Sequence, residues 1–232
     1  MTRARPPLPP RGSFLGACCL LALTVGCSET AEPPGALSWF DVELRGSLGA
    51  LADGGPRADD ADHALRRGLG HGVAVLAGGA GYATLSEGAL WVSAGEIHKH
   101  WASAPGEAID VAVLAGAPTP TWMPLARHEP LSEAGLAGRI GSWLAYVKLP
   151  AGAAVPFRVD GPTTGCVLAG APLGEASLRL VGVYSPGFEG EITEAGRTLS
   201  LHAIQSDPPR TGPVTGCQIP VEAEIRVPAV EG

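Results

Sequence analysis

Lysine is nearly missing from this chain: Lys99 and Lys148 are the only two, and arginine carries the other basic charges. Aromatic residues make up just 5%. Cysteine is scarce as well, and Cys18, Cys19 and Cys27 all fall within the first 27 residues. Past Cys27 no apolar run is long enough to cross a bilayer as a helix. Setting aside Arg3, Arg5 and Arg11 leaves 13 basic residues against 23 acidic ones. A domain so acidic is excluded as a partner for nucleic acid or anionic lipid surfaces. What the chain does have is glycine (33) and proline (22), alongside 45% hydrophobic residues. Few aromatics and many turn formers disfavour long helices, and predict short strands joined by tight turns around a sizeable core.

The N-terminus reads as an export signal. Three arginines among prolines precede an apolar stretch from Phe14 to Val25, of signal-peptide length and too short to span a membrane. It ends Leu23-Thr24-Val25-Gly26-Cys27, which resembles a bacterial lipobox. The resemblance implies lipid on Cys27, a signal over 1–27, a tether over 28–36, and a cell-envelope location. With Ser28 after the cysteine, it implies the periplasmic face of an outer membrane. The membrane, through this lipid, is then an expected partner. Two cysteines remain, in Thr164-Gly165-Cys166 and Thr215-Gly216-Cys217; in an oxidising compartment they predict one disulfide.

The rest is a succession of apolar runs and turns. Strands are expected over Leu37–Leu44, Val73–Ala77, Ala89–Val92, Ala108–Ala115, Ser142–Leu149, Val155–Val159, Cys166–Ala169, Leu178–Tyr184, Thr198–Ile204 and Val221–Val227. Leu131–Gly138 reads as one helical turn. Val73-Ala74-Val75-Leu76-Ala77-Gly78 recurs letter for letter at Val111–Gly116, and Val167-Leu168-Ala169-Gly170 echoes its end 92 residues on. That distance is near half the mature chain and suggests duplicated halves. Asp53, Asp59, Asp60 and Asp62 lack the ligand order of a calcium loop and read as a solvated loop.

Two groups of residues resemble the cupin superfamily, and more narrowly a two-domain family related to zinc-binding cupin anti-sigma factors. One is Leu149-Pro150-Ala151-Gly152, then Pro156-Phe157-Arg158-Val159, then Gly165–Gly170. The other runs from Gly88 through Ser93-Ala94-Gly95-Glu96-Ile97-His98. The resemblance implies an all-β chain of two tandem jelly-roll barrels, over 37–128 and 129–232. It places His98 as the second-motif metal ligand and His71 where a glutamate would stand. The expected His-x-His is replaced by Leu65-Arg66-Arg67, with His63 close by, and Glu96, His98 and His100 alternate as on one strand face. Zinc, iron or manganese in the first domain would suit such ligands. In the second half Phe157, Val159 and Thr163 occupy the ligand positions and His202 is displaced, which implies packing or an apolar pocket.

Other motifs carry less. Gly182-Val183-Tyr184-Ser185-Pro186-Gly187 misses the G-x-S-x-G pattern by one place and reads as a turn. Trp91, Trp101 and Trp143 read as core or cavity fillers. The expectation is an envelope-anchored, non-catalytic cupin-like lipoprotein that binds a small molecule or a partner. The alternative is a metal-dependent enzyme or sensor using the first-domain histidines.

Overall fold

The structure is a computed structural model, and it describes residues 40–48, 51, 59–60, 64, 66–102 and 109–230. The signal, Cys27 and His63 lie outside these. The first sheet contains β1 (Glu43–Arg45), β2 (Asp59–Asp60), β3 (Leu69–Leu76), β4 (Tyr82–Ser86), β5 (Ala89–Ala94), β6 (Ile97–Trp101) and β7 (Asp110–Pro118). Its order is β1-β7-β3-β4-β5-β6, with β2 also on β7. Next come β8 (Trp122–Pro124), β9 (Leu131–Ser132), helix α1 (Glu133–Tyr146), β10 (Val155–Thr163), β11 (Val167–Leu168), β12 (Ala171–Pro172), β13 (Ala176–Tyr184), β14 (Leu199–Ser206), β15 (Pro209–Thr215), β16 (Gln218–Ile219) and β17 (Glu224–Pro228). The second sheet runs β12-β11-β15-β14-β13-β10-β17-β8, and β9 pairs with β16.

Every named strand pair is antiparallel. Neither large sheet closes on itself, so two tandem jelly-roll barrels are not what forms. The motifs behind that expectation are tight-turn signals. They mark where strands end and carry no information on which strands become neighbours. By contact, Gly35–Gly232 form one compact unit, with the change of sheet falling between Pro118 and Trp122.

Alternation along the strands sorts side chains into three apolar layers. Val73, Val113 and Ala115 of the first sheet meet Val181, Val183 and Ile204 of the second. Leu69, Ala74, Leu85 and Leu114 form the outer layer of the first sheet. Phe157, Leu180 and Ile225 pack under Leu136, Ile140 and Leu144 of α1. Each fully buried Val, Leu, Ile or Phe side chain among these contributes about 1.5–3 kcal/mol.

The letter-for-letter repeat has a different meaning from duplication. β3 and β7 are neighbours, with Val73 opposite Ala115 and Val75 opposite Val113. Both are sandwiched on both faces, so both read as continuous apolar runs. The distant echo Val167–Gly170 falls instead on the two-residue strand β11 and the turn after it.

Helix α1 replaces the expected strand at Ser142–Leu149. The Ser132 side chain accepts from the Gly135 amide at its N-cap, and Leu136, Ile140, Trp143 and Leu144 share the buried face. That spacing is helical; the run Trp143–Leu149 hides it. Strand β15 was not expected, because Pro-Arg-Thr-Gly-Pro reads as a loop. Gly182 is dictated by packing: a Cβ there would lie 2.3 Å from Phe157 Cζ. Cys166 and Cys217 are disulfide-bonded, beside reciprocal backbone bonds between Thr164 and Gln218. The two similar Thr-Gly-Cys turns are thus spatial neighbours. Among the described residues no helix is long and apolar enough to cross a membrane.

Candidate functional site

Two histidines are buried where the sheets meet. His71, on β3, places Nε2 2.9 Å from the Phe157 carbonyl oxygen and 3.2 Å from that of Gly182. Both partners are acceptors, so the neutral ring carries its proton on Nε2 and donates to the second sheet. The ring stands edge-on to Trp122, with centroids 4.9 Å apart. Burial lowers its pKa to about 4, against the opposing pull of the two carbonyls. Arg158 approaches the same Trp122 ring at 5.5 Å. The Arg158 side chain is only 4% exposed and pairs with Glu87 and Asp160, and Arg179 bonds to both carboxylates as well. His71 lines neither of the two cavities described below.

The other end differs. His202, on β14, has Nδ1 3.0 Å from Thr84 Oγ1, which lies 2.5 Å from Thr211 Oγ1. The Thr211 hydroxyl donates to the Ala203 carbonyl at 3.0 Å. Thr84 has one proton, so it donates to Thr211 and accepts from His202 Nδ1. Burial lowers the His202 pKa to about 3, opposed by the Ala83 carbonyl, so the ring is neutral at ordinary pH. Tyr82 meets it edge-on at 5.7 Å.

His202 lines a cavity of about 280 Å³. Val73, Val75 and Val113 supply apolar wall from the first sheet, while Tyr82, Ser200 and Arg197 supply polar groups. Arg197 is half-exposed and faces Glu194 at 3.3 Å and Glu133 at 3.6 Å. An apolar chamber with a few convergent polar groups and a buried histidine is the usual form of a small-molecule site.

Of the expected metal ligands, His71, His98 and His100 fall among the described residues, and His71 is apart from the other two. His71 is committed to two carbonyls between the sheets. His98 and His100 do share one face of exposed β6, but His98 Nδ1 is 2.8 Å from Ser93 Oγ and His100 stacks on Trp91 at 3.9 Å. Among the described residues no three His, Cys, Asp or Glu side chains gather as a metal site. Ser185 is buried at a turn, as its motif predicts. Trp143 is core, while Trp101 is part-buried under Lys99.

His202 was noted in the sequence only as a displaced second-motif histidine, and Thr84, Thr211, Ser200 and Tyr82 were not singled out. A lone histidine between Leu201 and Ala203 in an apolar strand was the available signal. The threonines that orient it lie 118 and 127 residues apart from their partners in sequence.

No protein-family model matches the chain, and no curated protein matches it significantly. Solved structures do share the fold. A Staphylococcus aureus protein of unknown function, described as similar to alpha-acetolactate decarboxylase, aligns with TM-score 0.57 at 12% identity over 80% of this chain and 84% of its own. The alpha-acetolactate decarboxylase of Bacillus subtilis strain 168 gives 0.59 at 13% identity, covering 80% and 83%. The acetolactate decarboxylase of Bacillus subtilis subspecies spizizenii gives 0.61 at 12%, covering 82% and 86%. At such identity the likeness is one of fold. It overturns the cupin resemblance, and with it the non-catalytic cupin-like lipoprotein, because named structures of this fold are enzymes. Nothing in the fold or in these likenesses supports the lipoprotein and membrane part of that expectation.

Proposed function

We propose that the chain is an enzyme acting on a small hydroxy-oxo acid held between the two sheets, with decarboxylation of an acetolactate-type substrate as its reaction. The observation that carries this reading is the neutral, buried His202 on the wall of an inter-sheet cavity, in a scaffold shared with alpha-acetolactate decarboxylases.

The chemistry sets what the site must supply. The carbon–carbon bond to the carboxylate breaks, carbon dioxide leaves, and the electron pair moves onto the neighbouring ketone oxygen as an enediolate. The carbon then takes up a proton. Arg197 offers a cation for the carboxylate before it leaves. The Tyr82 hydroxyl offers a donor for the oxygen where charge collects, while Ser200 Oγ, which donates to the Ile192 carbonyl at 3.1 Å, keeps only its lone pairs for the cavity. The valine wall disfavours a solvated carboxylate, which favours its loss. His202, kept in one tautomer by Thr84 and Thr211, exchanges the proton. The Cys166–Cys217 disulfide supports residence in an oxidising compartment.

The test is release of carbon dioxide and 3-hydroxybutan-2-one from racemic 2-acetolactate by the purified chain. It is run alone and with added zinc, iron(II) or manganese(II). Turnover is expected, falling about 100-fold or more in His202→Ala. No release under any of these conditions, or unchanged turnover in His202→Ala, sinks the proposal.

A further inference from the structure

A second cavity, of about 500 Å³, lies beside the first and shares Gly79 and Tyr82 with it. Its walls include Ser93, Glu96, His98, Arg210 and Thr211. These side chains converge from the β5–β6 hairpin and from β15, which is more than a hundred residues further along the sequence.

Two donors in this cavity have no acceptor to serve. The Thr211 amide donates to the buried Ser93 Oγ at 3.0 Å, and Ser93 Oγ lies 2.8 Å from His98 Nδ1. Nδ1 is the one acceptor within reach of the buried Ser93 hydroxyl proton among the described residues, so Ser93 gives that proton to Nδ1. The neutral imidazole then carries its own proton on Nε2, away from Ser93. Arg210 is exposed and forms no ion pair among the described residues, whereas Arg158, Arg179, Arg197 and Arg226 all face carboxylates. In a chain of net charge −7, an unpaired guanidinium beside an imidazole donor is a local exception. Glu96 is the one acid on the wall, and it disfavours an anion there.

We propose that this cavity binds a small oxyanion, a carboxylate or phosphate group, between Arg210 and His98. A planar guanidinium and an imidazole N–H suit the lone pairs of either group. The site does not depend on the decarboxylase reading: its groups are separate from Arg197 and His202. Thr211 nevertheless borders it while bonding to Thr84, the partner of His202.

Calorimetric titration of the full chain with inorganic phosphate and with acetate tests the assignment, and the tighter probe names the group. Arg210→Gln is expected to weaken binding about tenfold or more, and His98→Gln several-fold. Glu96→Gln is expected to tighten it, and Arg197→Gln to leave it unchanged. Arg210 and Glu96 are exposed, so both variants are expected to melt as the parent does. No heat at millimolar probe, an Arg210→Gln variant that binds like the parent, or weaker binding in Glu96→Gln would each overturn the proposal.

Discussion

His71 and His202 are the same residue type, buried in the same interface, with pKa values lowered to about 4 and about 3 by the same cause. Their surroundings differ. His71 is bonded to two backbone carbonyls, meets the Trp122 edge, and has Arg158 and its carboxylates close by. His202 is oriented by two threonines and borders empty volume. Burial and a shifted pKa therefore do not distinguish a structural histidine from a working one. Space beside the ring does, together with side-chain hydroxyls that fix its tautomer. The first end ties the sheets together; the second leaves room for a ligand.

The largest expected effect treats both ends alike. A histidine whose folded pKa is depressed stabilises fully above its unfolded value of about 6.5, and that stability is lost as pH falls toward the folded value. Each should steepen the loss by about 1.4 kcal/mol per pH unit, down to about pH 4 for His71 and about pH 3 for His202. Urea melts across this window should show the combined slope, and His71→Gln or His202→Gln should each remove its own share. An unchanged slope in His71→Gln would mean that the ring is not excluded from water.

The next effect should separate the two ends. Arg158→Met leaves Glu87 and Asp160 facing the Trp122 side of the interface without their buried cation. It should cost roughly 3 kcal/mol, toward the low end for a broken buried pair, because both carboxylates keep contact with water. Chemical denaturation measures the cost, and ligand binding at the His202 cavity should be unaffected. The smallest effect belongs to the other end. Thr84→Val removes the hydroxyl between His202 and Thr211 with little change of shape, at about 1–2 kcal/mol. Its sharper readout is turnover, which should fall by more than this stability loss explains. Equal turnover in Thr84→Val would remove the proposed difference between the ends.

Much of the fold was legible locally. The strand expectations at Val73–Ala77, Ala89–Val92, Ala108–Ala115, Val155–Val159 and Leu178–Tyr184 each fall mostly within an observed strand. Helix α1 was misread because Trp143-Leu144-Ala145-Tyr146-Val147 is apolar enough to imitate a buried strand, though Ser132 marked its start. The site was less legible. His71 and His98 stood out through the cupin resemblance, as a stand-in for a glutamate and as the second-motif ligand, yet neither lines the cavity beside His202. His202 does, and its neighbours Leu201 and Ala203 mark it only as a histidine in an apolar strand.

Taken alone, the sequence determined a mostly β chain with short, turn-bounded strands and one disulfide between Cys166 and Cys217. These follow from local causes: glycine and proline end strands, twofold apolar alternation buries a face, and two cysteines in similar turns pair. Only the tertiary structure decided that β3 and β7 are neighbours and not copies in separate barrels, that the sheets stay open, and that Thr84, Thr211 and His202 meet. Those outcomes depend on contacts between distant residues, roughly 40 apart for β3 and β7 and more than a hundred for Thr84 with His202 and Thr211. Turn motifs do not encode such pairing, because the same turn serves any two antiparallel strands.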